Sequence, residues 1–178
     1  TDATGSSDAV SLALKSATAT TNINVAGLSV AGVETLNIAA TTGTAGTNDT
    51  VDFAAGGADK LTAVNISGTA DVALVGTNTA KAVTVTSATS GITTISGNFV
   101  SGSSITTGAA KDSITLGTGF ASYSTGDGDD AISGTVAQLN TGANFNTING
   151  GAGNDNLQIT AGSGSWTVGD TGFSANYQ

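Results

Sequence analysis

The chain has 178 residues, 13 of them acidic and 4 basic, giving a net charge of −9 with no His, Cys, Met or Pro. This balance disfavours nucleic acid and acidic membranes as partners and favours cations. Without Cys or His there is no disulfide, no zinc site of the usual kind, no Cys nucleophile, no Ser-His-Asp triad and no H-E-x-x-H helix, so an enzyme would have to work with Asp, Ser, Thr and Lys.

The opening TDATGSSDAV has neither the basic end nor the apolar core of an export signal, and we expect a segment of a longer protein. No apolar run approaches the ~18 residues that cross a membrane. Residues Ala9 to Ser16 read weakly as helix; beyond them the chain reads as short strands. Apolar-x-apolar triplets start at Leu12, Ile23, Leu36, Val51, Val64, Val72 and Val83, in a rhythm without a fixed period. Each triplet turns two apolar side chains to one face and a small or polar one to the other. Such strands bury their apolar face only against neighbours, as coils of a parallel solenoid or strands of a sandwich.

From residue 105 the rhythm is regular. Ile105, Ile114, Tyr123 and Ile132 stand 9 residues apart, and Ile148, Leu157 and Trp166 resume the same step. The interval from Ile132 to Ile148 is 16, so one 7-residue insertion, expected to bulge as a loop from GTVAQLNTGANF, explains the break. Aligned on these residues, the segment reads TGAAKDSIT, LGTGFASYS, TGDGDDAIS, TGANFNTIN, GGAGNDNLQ and ITAGSGSWT. The sixth position holds Asp112, Asp130 and Asp155 in alternate copies, and Ala121, Asn146 and Gly164 in the others. AAGGADKLT, with Asp59 and Leu61, and Asp49-x-Val51 echo the pattern further upstream.

GGAGNDNLQ matches the G-G-x-G-x-D-x-U-x nonapeptide, U being a large apolar residue, at every defined position, and TGDGDDAIS misses only the first glycine. Residues 107–167 thus resemble the calcium-binding RTX repeats, while the Thr/Ala/Val-rich part before them has the texture of RTX-type bacterial surface-layer proteins. The resemblance implies an all-β, right-handed parallel β-solenoid: an irregular β-helix over 1–104 followed by an RTX-like calcium-binding β-roll over 105–178, with a loop insertion near 134–145, forming one continuous solenoid. Two nonapeptides would complete one coil, so turns 18 residues apart would share an edge, and removing the insertion brings Asp112, Asp130 and Asp155 into phase.

Carried over residue by residue, the resemblance implies a first Ca2+ held by the Asp112 and Asp130 carboxylates and the carbonyls of Gly108, Ala110, Thr125 and Asp127. A second would lie between Asp130 and Asp155, with the carbonyls of Gly126, Gly128, Gly150 and Ala152. Hard oxygen donors of this kind suit calcium, and glycine lets a turn aim its carbonyls inward. The opposite edge should bind calcium poorly or not at all. The plainer reading, that Gly and Asp are common in turns, loses weight once two near-perfect copies fall in phase.

Other groupings are weaker. Asp127, Asp129 and Asp130 crowd four residues but lack an aromatic sugar platform, and they read as turn residues before glycosidase acids. GTGF at 117–120 lacks the Lys-Ser/Thr of a phosphate loop, and four lysines give a lyase little to work with. The Thr runs at 84–86, 92–94 and 105–107 are too irregularly spaced for an ice-binding ladder, and Trp166 reads as a core residue. The function expected is therefore structural, not enzymatic: a calcium-dependent, self-assembling segment of a secreted bacterial surface-layer protein, exported by type I secretion to the cell surface. It would self-associate into a lattice, with a cell-surface polysaccharide as a possible partner and no membrane insertion. The alternative is a spacer or ligand-binding module of an RTX adhesin that binds cells, glycans or ice.

Overall fold

A computed structural model describes residues 5, 7–16, 18, 21–42, 48–139, 146–160 and 175–176. Their alternating side chains form strands β1 Ala9–Lys15, β2 Asn24–Leu28, β3 Thr35–Thr42, β4 Asp49–Phe53, β5 Ala63–Gly68, β6 Val72–Asn78 and β7 Thr84–Ser87. The chain continues through β8 Thr93–Asn98, β9 Ser103–Thr106, β10 Ser113–Thr115, β11 Ala121–Ser124 and β12 Ala131–Thr135. After the short helix α1 Val136–Leu139 come β13 Thr147–Asn149, β14 Asn156–Thr160 and β15 Ala175–Asn176.

Odd-numbered strands form one 8-stranded sheet, here sheet A, and even-numbered strands one 7-stranded sheet, sheet B, each in the order of the chain. Every pairing between these strands is parallel. The molecule is a parallel β-solenoid: the chain alternates sheets, and each strand lies on the one a coil earlier. Interior columns run through both sheets, Leu36, Val64, Val85, Ile105, Tyr123 and Ile148 in A and Val51, Leu74, Ile95, Ile114 and Ile132 in B. All are buried, and each contributes roughly 1.5–3 kcal/mol of apolar burial.

The seven triplets land on seven successive strands or their first flanking residues, alternating between sheets. Coil length accounts for their uneven spacing. Partners one coil apart are 26 residues apart at Asp8 and Glu34, 28 at Asn37 and Asn65, 21 at Asp71 and Ile92, and 18 at Asp112 and Asp130. The insertion then lengthens the coil to 25 residues.

Two expectations need correction. Ala9–Lys15 is strand rather than helix: Val10, Leu12 and Leu14 alternate inward against β3, which satisfies the backbone and buries Leu14. The insertion does not simply bulge outward. Its described part includes α1, where Leu139 is buried and the Gln138 amide donates to the Leu116 carbonyl at 2.6 Å, docking it on the preceding coil. Residues 140–145, Gly164 and Trp166 lie outside the described residues.

Candidate metal centre

Along one long edge the chain crosses from sheet A to sheet B, through the turns 107–112, 125–130 and 150–155. The last residue of each turn precedes a strand of sheet B. Because Ser113 pairs with Ala131, and Ala131 with Asn156, the preceding Asp112, Asp130 and Asp155 stand in one column. Asp112 and Asp130 are each only 1% exposed.

Each carboxylate of the column accepts a backbone hydrogen bond from the coil before it. Asp112 Oδ1 takes the Thr93 N–H at 2.6 Å, Asp130 Oδ1 the Asp112 N–H at 2.7 Å, and Asp155 Oδ1 the Asp130 N–H at 3.1 Å. The second oxygens differ. Asp112 Oδ2 accepts the Gly108 N–H at 3.1 Å, whereas the buried Oδ2 atoms of Asp130 and Asp155 have no hydrogen-bond partner. Burial pushes the Asp112 and Asp130 carboxyls above the ordinary carboxylate range, against the lowering effect of the N–H groups they accept and of the nearby Thr107 and Thr125 hydroxyls. Repulsion from the next carboxylate in the column, Asp130 on Asp112 and Asp155 on Asp130, adds to the rise.

The turns stack as near copies. Gly126 and Gly151 have φ of 88° and 87°, Gly128 and Gly153 of 134° and 135°, a region L side chains rarely enter. A Cβ on Gly151 would overlap the Gly126 carbonyl oxygen, and one on Gly153 that of Gly128. Two buried threonines thread the stack: the Thr107 hydroxyl donates to the Thr125 carbonyl at 2.9 Å, and the Thr125 hydroxyl to the Gly150 carbonyl at 2.7 Å.

Several carbonyls expected to face a cation therefore already accept bonds along the stack. The Gly108 oxygen takes the Asp127 N–H at 3.1 Å, that of Gly126 the Ala152 N–H at 2.9 Å, and that of Ala152 the Gly128 N–H at 2.8 Å. The Ala110 carbonyl packs against Gly128, and Asp127 bridges to Ala152. A carbonyl has two lone pairs, so these bonds leave each oxygen a further acceptor site. Among the described residues no group of three or more acidic side chains is placed to hold a metal; a cation here would rely on backbone oxygens as well as carboxylates. Four buried carboxylate oxygens lack a partner among the described residues, on Asp8, Asp49, Asp130 and Asp155; those of Asp130 and Asp155 lie on adjacent coils and fit such a cation.

The crowded acids separate by role. Asp130 faces inward, whereas Asp127 and Asp129 are exposed, and Asp129 Oδ1 accepts the Asn154 N–H at 3.0 Å. The threonine runs do not share a face: Thr93 and Thr107 are buried inside, while Thr94 lies in sheet B and Thr106 in sheet A.

The opposite edge caps N–H groups with Glu34, whose Oε2 accepts the Asp8 N–H at 2.8 Å, but in its later coils it does so with uncharged groups. Asn146 Oδ1 accepts the Ala121 N–H at 2.7 Å, and Ser103 Oγ the Val83 N–H at 3.1 Å. Only an oxygen is needed for this bond, so capping alone does not demand Asp. Two further buried acids line the edge of the aspartate column, Asp49, which the sequence shows as an echo of the repeat, and Asp71, which it does not. Asp49 caps the Ile23 N–H at 2.8 Å with its other oxygen unpartnered, and Asp71 accepts the Ile92 N–H at 2.8 Å. Asp49 opens β4 and Asp71 stands just before β6; the signal for Asp71 is its place at the start of a strand of sheet B, which a search in steps of 9 misses. Asp59 lies in a turn on the opposite edge, its Oδ1 accepting the Gly32 N–H at 2.9 Å.

Fold and edge together define the chain as a parallel β-solenoid with an internal aspartate column. No protein-family model matches the chain, and no curated protein and no solved structure matches it.

Proposed function

We propose that the chain is a calcium-binding structural solenoid of the RTX kind, a segment of a secreted bacterial surface-layer protein that self-assembles when calcium is present. The observation that carries this reading is the pair of buried, unpartnered oxygens, Asp130 Oδ2 and Asp155 Oδ2, stacked one coil apart. A buried carboxylate oxygen without a partner is costly, and a hard divalent cation would offset that cost. Asp130, Asp155 and the carbonyls of Gly126, Gly128, Gly150 and Ala152 would hold the principal ion. Asp112, whose second oxygen is already bonded, would contribute to a weaker one with Asp130 and the carbonyls of Gly108, Ala110, Thr125 and Asp127. The ion supplies positive charge that ties consecutive turns together. Extracellular modules bind calcium at about 10⁻⁴–10⁻³ M, within reach of an external medium.

The test is a calcium titration followed by circular dichroism and thermal melting, with electron microscopy of the same samples. Calcium should raise the melting temperature and yield ordered arrays, whereas magnesium should do so poorly. An unchanged melt at ~10 mM calcium, tenfold or more above the affinity expected of such modules, refutes the cation site. A raised melt with monomers throughout favours an adhesin module instead.

A further inference from the structure

The edge opposite the aspartate column carries a cleft of about 460 Å³ spanning three successive coils. Thr79 follows β6, Asn98 ends β8, Ser101 lies in the turn from β8 to β9, and Thr118 and Gly119 lie in the turn from β10 to β11; Phe99 also lines it. Phe99 is 1% exposed and closes the cleft from the core side. The cleft is wide open to solvent, so a ligand there would lie against it with one face exposed.

One atom in this wall is out of balance. Thr79 is 5% exposed, yet its buried hydroxyl has no hydrogen-bond partner. A buried hydroxyl left so costs free energy; its oxygen is shielded from solvent, so a ligand would recover that cost once the side chain turns about χ1 to present the hydroxyl to the cleft. The other polar groups are already held in place: the Thr118 hydroxyl donates to Asn98 Oδ1 at 3.3 Å, and Ser101 Oγ accepts the Phe120 N–H at 3.3 Å. Gly119 has no room for a side chain, because a Cβ would overlap the Phe99 carbonyl oxygen.

The lining contains no charged residue. An anion would find no cation there and would approach a chain of net charge −9; a cation would find no carboxylate. Three hydroxyls and one amide offer donors and acceptors in near balance, and Val100 and Gly119 add apolar surface. We infer that this cleft binds a neutral, polyhydroxylated ligand, one sugar unit of an uncharged glycan, with the Thr79 hydroxyl as its innermost contact. The site does not depend on the cation row, which lies on the other edge.

The experiment is a titration of the full chain with neutral sugars (glucose, galactose, mannose, N-acetylglucosamine) and with glucuronate, read from amide chemical shifts, once in calcium and once in chelator. At least one neutral sugar should give saturable shifts confined to Thr79, Ser101, Thr118 and Gly119 at millimolar concentrations, a weak but specific affinity. Thr79→Val, isosteric and free of a lost internal bond, should fold normally and weaken that binding about tenfold. Thr118→Ala, at an exposed position, should weaken it also. Absence of localised shifts with every neutral sugar would mean that the cleft holds only solvent and would overturn the inference. Equal binding of glucuronate, or unchanged binding in both variants, would overturn it as well.

Discussion

The contrast between Asp130 and Asn146 isolates what charge adds. Both stand just before a strand. Asn146 uses Oδ1 to cap the Ala121 N–H and Nδ2 to reach the Gln138 carbonyl at 2.6 Å, so both ends are satisfied. Asp130 caps the Asp112 N–H and leaves its second oxygen unpaired. Asp130→Asn should therefore keep the cap and the fold while losing most of the calcium response. At ~10 mM calcium the wild-type chain should gain about 1.4–2.7 kcal/mol per site by mass action, given affinities of about 10⁻⁴–10⁻³ M. The variant should gain less than about half of that, and Asp112→Asn should lose less, since Gly108 already holds its second oxygen. Denaturant melts with and without calcium measure the difference; an undiminished gain in Asp130→Asn sinks the assignment.

Tyr123 supplies a pH dependence of its own. Burial raises its phenol above the ordinary value of 10.0, although the Gly117 N–H donated to the hydroxyl at 3.2 Å works against the rise. The folded chain thus holds this proton longer than the unfolded chain. The associated stability is fully present below the unfolded pKa and is lost as pH climbs through the higher folded one. Melts between pH 8 and 11 should fall more steeply for wild type than for Tyr123→Phe, which should start about 1 kcal/mol less stable for want of the hydrogen bond. Parallel curves would show that the buried phenol carries no such linkage.

At the scale of elements, the stacked turns are the least forgiving parts of the chain. Gly151→Ala must place a methyl group on the Gly126 carbonyl at φ 87°, whereas Gly27→Ala, at φ 68° in β2, meets nothing within 4 Å. The first change should cost well over about 2 kcal/mol and the second only the roughly 1–2 kcal/mol of a left-handed residue, as denaturant midpoints will show. Equal losses would mean that the turns do not stack this closely. These strands were legible because an apolar-x-apolar triplet needs no knowledge of its partners: Val64-x-Ile66 announces β5 wherever it lies. Ala9–Lys15 was less so, because AVSLALK also suits a helix, and only β3 beside it decides the matter. The aspartate column was legible from Asp112 to Asp155, where the coil holds at 18 residues but for one insertion. Further upstream it showed only as an echo at Asp49, where the coil is 26 residues long, and it was hidden at Asp71, which stands one residue before the column and accepts the Ile92 N–H of the following coil instead. Nor could spacing show that the carbonyls of Gly108, Gly126 and Ala152 would bond along the stack, since that depends on how closely two turns approach.

The whole molecule is a line of coils, each touching chiefly its neighbours, so stability should be local and propagate along the axis. Its charge is uneven across that axis. Asp49, Asp71, Asp112, Asp127, Asp129, Asp130 and Asp155 stand along the edge from sheet A to sheet B, with Lys111 the basic residue among them. Among the described residues the opposite edge carries Asp8, Glu34 and Asp59 with Lys60 and Lys81, a smaller excess of negative charge. Self-repulsion along the first edge weakens the coils where the acids are densest, from residue 112 to residue 155, and a cation there would relieve it. Hydrogen exchange with and without calcium tests this coil by coil. Amides of β10, β12 and β14, which share the ladder beside the column, should gain the most protection. Those of β8 should gain less, and those of β2 and β4 little, since nearest-neighbour coupling fades along the stack. Uniform protection of both sheets would instead mean that the solenoid opens as one cooperative unit, with calcium acting on the whole chain through a single transition.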